Sequence, residues 1–163
     1  MSANIPHSIG TIISATDTAT QALETELQEV GAERFTARDY RPGVVRHIVL
    51  FRYAPGVSDA EKAEVQRLFL ALQSSLRHDG RPYIVSIVAG PQSNGEGAHH
   101  DFEQGFIVTF DSQGDRNYYV GRPLVDDPQF FDAMHDEFKA HVGQHLLPGP
   151  DGVLVFDFVE TPA

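Results

Sequence analysis

Residues 46–53 read RHIVLFRY, and the other segments of the chain can be arranged around them. Aliphatic and aromatic side chains dominate this stretch and a Pro-Gly pair follows it, a pattern that indicates a β-strand. Alternation along a strand places four side chains on one face, namely His47, Val49, Phe51 and Tyr53. His47 brings an imidazole, which titrates near neutral pH, into an otherwise apolar row, and is therefore the first candidate functional residue.

Length and charge limit the possible partners. The chain has 163 residues, which suits one domain with an appendage, and 41% of them are hydrophobic, including 11 Phe. The 23 acidic residues exceed the 12 basic ones and give a net charge of −11. Because such a surface repels phosphate groups, we expect neither nucleic acid nor a membrane surface as a partner.

The sequence contains no cysteine, which excludes disulfides, thiolate catalysis and cysteine-bound zinc. No basic segment followed by an apolar core stands near its start, so we expect no signal peptide. No apolar run approaches the roughly 20 residues that a membrane-spanning helix needs. These features favour a soluble, cytoplasmic protein.

The chain divides near residue 42 into an N-terminal extension, residues 1–42, and a domain, residues 43–163. The first part of the extension, residues 1–15, is small, polar and aperiodic, and we expect it to be irregular. A thin apolar stripe then predicts a helix from Thr16 to Gly31. We expect this helix to lie against the body of the protein or against a partner subunit.

Capping residues and apolar periodicity predict the remaining elements of the domain. Ser58 and Glu61 form a capping box that opens a helix, and an Asp-Gly pair at residues 79–80 ends it. Asp127, with a proline after it, opens the last helix, which runs to Leu146. The other predicted elements are strands at residues 83–89, 102–111 and 152–160 and a short helix at residues 112–120.

This order, β-α-β-β-α-α-β, predicts an α+β fold in which helices cover one face of a ferredoxin-like, four-stranded antiparallel sheet. The opposite face then carries large apolar side chains. A bare surface of this kind promotes aggregation, and a second copy packed sheet to sheet would cover it. We therefore expect a homodimeric α/β barrel.

Several segments, taken in order, resemble one known family. They are HIVLFRYAPGVS at residues 47–58, the third strand with its FDS ending at residues 102–112, the tyrosine pair at residues 118–119, MHDEFK at residues 134–139 and LVFDF at residues 154–158. Together they resemble the stress-responsive A/B barrel (Dabb) domain over about residues 44–160. The resemblance implies a dimeric α+β barrel with a cavity between the sheet and the helices of each protomer.

Family members related to olivetolic acid cyclase close a polyketide ring by aldol chemistry without a cofactor, whereas many others have no known activity. By resemblance to these cyclases, His135 stands at the position of the catalytic base. His47 stands at the position of a first-strand histidine, and Tyr119 at that of a tyrosine in the short helix. These three residues are the candidate catalytic residues, and the resemblance implies no cofactor.

The chain departs from the cyclase pattern in three ways. Gln104 stands where the third strand of the cyclase carries a histidine, and Asp132 with the alanine after it replaces the first half of a His-Pro-x-His motif. The segment between Tyr119 and His135 is also longer than in the cyclase. The expected ligand is a small, fairly apolar, oxygenated molecule. Its candidate binding residues are Gln104, Phe51, Phe106 and Phe138.

Elementary chemistry supports the histidine pair as a catalytic centre. Two imidazoles in an apolar pocket can take a proton from a C–H or O–H acid and return it elsewhere. Tyr119 or the amide of Gln104 can hold a developing oxyanion. The alternative is that His47 and His135 only form structural hydrogen bonds.

A second histidine pair, His141 and His145, lies four residues apart on the last predicted helix. This spacing can bind zinc, with a third ligand from His99, His100 or Asp101. The spacing is also common by chance, and both histidines stand in an apolar stripe. We therefore favour histidines packed along the helix and predict no metal site.

Two functions remain open. The first is a cofactor-independent enzyme of the cyclase or lyase type. The second is a non-catalytic homodimer that binds an apolar ligand or acts in stress tolerance. The catalytic hypothesis requires nitrogens of His47 and His135 to face one void. The other predicts a void filled by Phe and Tyr side chains, with histidines bonded to backbone.

Overall fold

The computed structural model describes residues 15–163, and their side chains from residue 18 onward. The irregular segment expected at residues 1–15 lies, apart from its last residue, outside the described part of the chain. Four α-helices and four β-strands follow in the order α1 Ala15–Phe35, β1 Pro42–Phe51, α2 Asp59–Ala71, β2 Ser86–Pro91, β3 Gln104–Ser112, α3 Gln113–Val120, α4 Ala133–Val142 and β4 Val153–Val159. Short 3-10 turns lie at Leu72–Ser74 and Pro128–Phe130.

The four strands form one antiparallel sheet in the order β2-β3-β1-β4. Strand β1 is therefore central, with β3 on one side and β4 on the other. In this register His47 stands opposite Val108 of β3 and opposite Asp157 of β4. The sheet and its helices confirm the predicted α+β, ferredoxin-like fold.

The two faces of β1 differ as the alternation predicts. Val45, Val49 and Phe51 are buried, whereas Ile48 and Leu50 on the other face are only half-buried. The buried face packs against all three helices of the domain. Its partners there include Val65 and Phe69 of α2, Tyr119 of α3, and Phe138 and Val142 of α4.

The predicted capping box at the start of α2 is present. The Glu61 amide donates to the Ser58 hydroxyl at 3.2 Å, and the Ser58 amide donates to the Glu61 carboxylate at 2.7 Å. The predicted end of this helix, at residues 79–80, is wrong. The helix ends at Ala71 because the backbone tightens into a 3-10 turn, and Leu76 beyond it leaves the apolar stripe and is 51% exposed.

The predicted start of the second strand is also too early. Pairing with β3 covers Ser86–Pro91 instead of residues 83–89. Before the strand, Tyr83 and Ile84 are buried, and the Tyr83 hydroxyl donates to the Asp132 carboxylate. These residues leave the sheet to cover the core.

The last helix begins later than predicted. Asp127 does cap a helical turn, since its carboxylate accepts from the Gln129 amide at 3.0 Å, but that turn is the short Pro128–Phe130 segment. Helix α4 starts afresh at a second cap, Asp132, whose carboxylate accepts from the amides of Met134 and His135 at 2.9 and 3.2 Å. The two aspartate caps, which lie five residues apart, therefore begin two separate helical segments.

Helix α1 extends beyond its predicted end. Gly31 has a positive φ of 78°, which bends the chain, but the helix resumes and ends at Phe35. Leu23 and Leu27 pack against a small core formed by Phe35, Tyr40 and Val125. The helix therefore lies against the body of its own subunit. The boundary near residue 42 between extension and domain stays a prediction.

The sheet edge formed by β4 is apolar and open. Val155 is 53% exposed and Phe156 is 59% exposed, although they point to opposite faces of the strand. Within residues 15–163, no element packs on the sheet face that carries Ile48, Ile107 and Phe156. No helix of the described chain has the length and apolar character needed to cross a membrane.

Candidate active site

Three rings from three different elements meet in the core. The ring of Tyr119, from α3, stacks on His135 of α4 with 3.8 Å between the ring centroids. The same tyrosine meets His47 of β1 edge to face, with 5.5 Å between centroids. All three side chains are buried. The structure thus brings together the three candidate catalytic residues.

Local structure explains how these rings reach one place. Ser112 ends β3 and caps α3, since its hydroxyl accepts from the Asp115 amide at 3.0 Å, so the helix turns back over the sheet at once. Tyr119 and Tyr118 then diverge. Tyr118 packs on Arg77, whose guanidinium carbon lies 4.2 Å from its ring centroid, and on His78, whereas Tyr119 meets His47 and His135.

His47 forms a hydrogen bond with a carboxylate. Its Nδ1 lies 2.6 Å from Oδ1 of Asp157, the residue directly opposite on β4, and Oδ2 of the same carboxylate accepts from Arg116 Nη1 at 2.7 Å. Burial raises the pKa of Asp157, but hydrogen bonds and electrostatic attraction from His47 and Arg116 outweigh it and leave the pKa below its usual value. An ionised carboxylate only accepts, so Nδ1 of His47 carries the shared proton.

His135 is held by the backbone instead. Its Nδ1 lies 2.6 Å from the carbonyl oxygen of Tyr119, which can only accept, so Nδ1 carries a proton. Burial lowers the pKa of His135 to about 3, even though the hydrogen bond to the Tyr119 carbonyl acts in the opposite direction. The imidazole is therefore neutral near pH 7, and its Nε2 has a free lone pair.

Tyr119 contributes a hydroxyl that has no hydrogen-bond partner among the described residues. The oxygen is buried, and no residue in the described chain forms a hydrogen bond with it. Burial raises the pKa of Tyr119 well above its usual value, and the carboxylates of Asp132 and Asp157 raise it further. A buried hydroxyl without a partner costs free energy, about 1–3 kcal/mol, so its position calls for a functional explanation.

The apolar candidate binding residues form a neighbouring cluster. Phe69 stacks on Phe106 with 3.9 Å between ring centroids, meets Phe138 at 5.2 Å and meets Phe51 at 6.0 Å. We name these four rings the aromatic cluster. They occupy the space between the sheet and the helices, and the role of Phe51, Phe106 and Phe138 in substrate binding stays a prediction.

Gln104 lies apart from the three rings. Its amide oxygen accepts from the Tyr53 hydroxyl, and its amide nitrogen donates to Gln66 at 2.9 Å. Along β3 it is four residues from Val108, which pairs with His47, a separation of about 13 Å at 3.3 Å per residue. The structure gives Gln104 no contact with the histidines, and its binding role also stays a prediction.

A hollow of about 500 Å³ lies near the C-terminal end of β1. It is lined by residues that include Arg52, Asp101 and Glu103. These charges already pair: Arg52 lies 3.3 Å from Asp101, and Lys62 lies 2.6 Å from Glu103. The hollow has no buried group without a partner. The three rings are therefore the better candidate for chemistry.

The second histidine pair makes an edge contact, with 5.2 Å between the ring centroids of His141 and His145. His141 is exposed, so the apolar stripe does not include it as predicted. Within residues 15–163 no group of three or more histidine, aspartate or glutamate side chains is arranged to hold a metal ion.

Comparison with known proteins identifies the family of this chain. Residues 45–160 match the family model of the stress responsive A/B barrel domain, Dabb, and this range contains all three rings and Asp157. The chain belongs to the Dabb family. No curated protein sequence matches the chain.

Solved structures share the fold of this Dabb domain at low sequence identity. A protein from Arabidopsis thaliana, At3g17210, is 24% identical, with a TM-score of 0.56 over 73% of this chain and 97% of that one. A hydroxynitrile lyase from Passiflora edulis is 19% identical, with a TM-score of 0.55 over 75% of this chain and 97% of that one. A dimeric ferredoxin-like protein of unknown function from Jannaschia sp. CCS1 is 19% identical, with a TM-score of 0.52 over 71% and 98%.

Sequence reasoning missed Asp157 and Arg116. A signal for Asp157 was present, because it is the only charged residue in the apolar strand VLVFDFV. A lone carboxylate among apolar residues needs a partner. The partner could not be named without the register of β4 against β1, which joins residues 110 positions apart in the Dabb sequence.

The lowered pKa of His135 predicts a pH-dependent stability. The ordinary pKa of the imidazole, 6.5, applies to the unfolded chain, and the pKa of about 3 applies to the folded chain. Between these two pH values the unfolded chain therefore binds a proton at His135 that the folded chain does not. The contribution of the neutral imidazole to the free energy of unfolding is complete above pH 6.5. It is lost on acidification, by up to about 1.4 kcal/mol per pH unit. Replacing His135→Gln removes it, so the variant's stability deficit should shrink by about 2 kcal/mol between pH 7 and pH 5.

Urea unfolding at pH 7, 6 and 5 measures this deficit. The control is His141→Gln, which removes an exposed histidine from the same helix and should show no such change. A deficit for His135→Gln that is the same at all three pH values would contradict the assignment of a neutral, buried imidazole.

Proposed function

We propose that this Dabb protein is a cofactor-independent acid/base enzyme, of the cyclase or lyase type, acting on a small, fairly apolar, oxygenated molecule. One observation carries the proposal: the buried Tyr119 hydroxyl has no partner in the described chain, and its ring contacts two imidazoles whose Nδ1 atoms are already engaged. The site thus offers a hydroxyl donor and the Nε2 atoms of His47 and His135 to a guest molecule.

The contacts of the two histidines favour His47 as the group that moves a proton. A base works best when its pKa lies near the working pH, and burial lowers the pKa of His135 to about 3. His47 is bonded through Nδ1 to Asp157, which orients the ring and leaves Nε2 available, as the carboxylate does in a catalytic triad. We therefore exchange the roles taken from the cyclases and assign His135 to orienting the substrate through Nε2.

Tyr119 suits the stabilisation of a developing oxyanion. Its raised pKa keeps the phenol protonated, so it donates a hydrogen bond and does not act as a base. In the proposed step, Nε2 of His47 takes a proton from a carbon next to a carbonyl group. The electron pair of that C–H bond forms a C=C bond, and the π pair of the carbonyl moves to its oxygen, giving an enolate oxyanion that Tyr119 stabilises. The imidazolium of His47 then returns the proton to carbon or to a leaving group.

The apolar part of the ligand would lie against the aromatic cluster, whose rings would have to shift to admit it. A hydroxynitrile lyase shares this fold, so the fold is compatible with lyase chemistry, although the identity of 19% gives no substrate. Because the chain has no cysteine, the reducing cytoplasm is a suitable compartment, and we propose that the protein acts there.

A second candidate function is a non-catalytic homodimer. It is favoured by the filled aromatic cluster and by the bond of His135 to a backbone carbonyl, both of which the structural alternative expects. The contact of His47 argues against this function, because its Nδ1 is bonded to a carboxylate and not to the backbone.

In either case we propose that two copies associate through the bare sheet face and β4. Phe156 and Phe158 project from this face, and Val155 projects from the other side of the same strand. An apolar edge strand of this kind is a ready site for association, and a second copy would cover it. The Jannaschia protein of the same fold is described as dimeric.

Acid/base catalysis predicts deuterium exchange. A panel of small ketones and β-diketones is first screened for binding by the rise in melting temperature. Binders are then incubated with the enzyme in D₂O, where NMR should show deuterium entering the carbon next to the carbonyl. We expect His47→Gln to slow exchange by about 10²–10⁴-fold and Tyr119→Phe by about 10²–10³-fold, because they remove the base and the oxyanion donor.

The matched control is Tyr118→Phe, which removes a hydroxyl from the adjacent tyrosine that faces Arg77. It should keep the full exchange rate. If binders are found and none exchanges in the wild-type protein, the enzyme proposal is contradicted and the non-catalytic homodimer is favoured.

The association proposal has its own test. Phe156→Lys places a charge on the 59% exposed apolar position of β4 and should convert a dimer into monomer. Val30→Lys places the same charge on an apolar residue of α1 that is 39% exposed and should remain dimeric. Sedimentation velocity measures both. A wild-type chain that sediments as a monomer at micromolar concentration would contradict the proposal.

A further inference from the structure

Helix α1 precedes the part of the chain that matches the Dabb family, yet hydrogen bonds connect its last residue to His47. The carbonyl of Phe35 accepts from Asn117 Nδ2 at 2.8 Å, and Asn117 Oδ1 accepts from Arg116 Nε at 2.9 Å. Arg116 Nη1 then donates to Asp157 at 2.7 Å, and Asp157 holds His47 at 2.6 Å. Four consecutive hydrogen bonds therefore run from α1 to the site.

The chemistry of each link suits its place in this path. Phe35 ends α1, so its carbonyl lacks a partner within the helix and accepts from elsewhere. The amide of Asn117 can donate at one end and accept at the other, and Arg116 has only donors to offer to Asp157. Phe35, Asn117 and Arg116 are all buried, which shields the path from competing water.

Helix α1 also closes a space beside the carboxylate. A small cavity of about 60 Å³ lies between α1 and α3. Leu23 and Phe35 from α1 line it on one side, and Arg116 and Asp157 line it on the other. Removing α1 would open this cavity and expose the Asp157 carboxylate to water.

Two parts of α1 contact the body of the protein. Before the bend at Gly31, Leu23 and Leu27 are its half-buried apolar contacts, while Val30 is exposed; after the bend, Ala32 and the buried Phe35 belong to the same small core. Glu26 adds a polar contact, accepting from the Tyr40 hydroxyl at 3.1 Å and pairing with Arg41 at 2.9 Å. Single substitutions at the two leucines should therefore detach the helix without disturbing the sheet.

From these contacts we infer that α1 is a positioning element of the site. Docked, it holds Asn117 and Arg116 in place, limits the exposure of Asp157 to water and so fixes the orientation of His47. Undocked, the path loses its first acceptor and the cavity opens. The consequence for catalysis rests on the proposed function, but the orientation of His47 does not, and the test therefore measures His47 itself.

The experiment uses the full chain labelled with ¹⁵N-histidine. Proton NMR should show a strongly downfield Nδ1–H signal from His47, assigned by its loss in His47→Gln. Leu23→Asn and Leu27→Asn should abolish this signal by speeding its exchange with water, while Val30→Asn on the exposed face of the same helix should keep it. Hydrogen exchange of the α1 amides shows whether the helix has undocked, and circular dichroism shows that the domain stays folded.

A second variant covers the case in which α1 stays docked. Leucine is close in size to asparagine, so Asn117→Leu removes the two hydrogen bonds of the Asn117 amide with little change in volume. It should abolish the His47 signal with α1 in place. The inference is overturned if the His47 signal persists in the undocked leucine variants or in folded Asn117→Leu. Loss of the signal without any deuterium exchange activity in the wild type would leave the inference standing and reject the proposed enzyme function.

Discussion

The carboxylate of Asp157 constrains the rest of the structure because it needs two partners, one on the sheet and one on a helix. It is largely buried, and a buried charge is tolerated only when it is paired and hydrogen-bonded. His47 and Arg116 provide the pairing, one from the central strand and one from α3. Removing one partner of a buried pair typically costs about 3–5 kcal/mol, so strand register and helix position are both constrained by this one group.

Strand register is where this constraint has its largest effect. Strand β4 is the edge of the sheet, and most of its side chains are exposed in a single copy, so apolar burial fixes its register only weakly. The hydrogen bond between Asp157 and His47 supplies a specific contact at the middle of this strand. A shift by one residue would send Asp157 to the other face and leave His47 without its carboxylate. The functional group and the register of the strand therefore depend on each other.

Much of the fold could be predicted because its signals are local. Alternation in residues 46–53 gave the faces of β1, and the Ser58–Glu61 capping box gave the start of α2. The errors arose where local signals compete. Asp127 and Asp132 are both good caps, and only packing shows that the second one begins the helix that carries His135. Leu76 continues the apolar period of α2, yet the chain turns away before it.

The candidate site was only partly accessible to the same reasoning. Resemblance to the cyclases named His47, Tyr119 and His135, which the fold brings into contact. It could not reveal the environment of each ring, which decides the proposed role. The bond of His135 to a carbonyl, the pairing of His47 with Asp157 and the free Tyr119 hydroxyl depend on contacts between residues distant in sequence. The hydrogen bonds through Asn117 to α1 lie further still from any sequence motif.

The proposed roles of His47, Tyr119 and His135 depend on where the protons of this cluster reside, and neutron diffraction from a perdeuterated crystal shows these protons directly. We predict deuterium on Nδ1 of His47 and none on either oxygen of Asp157, because the carboxylate is ionised and accepts from both His47 and Arg116. On His135, deuterium should occupy Nδ1 and leave Nε2 bare near pH 7. Deuterium on the Asp157 carboxyl, or on Nε2 of His135, would contradict the account.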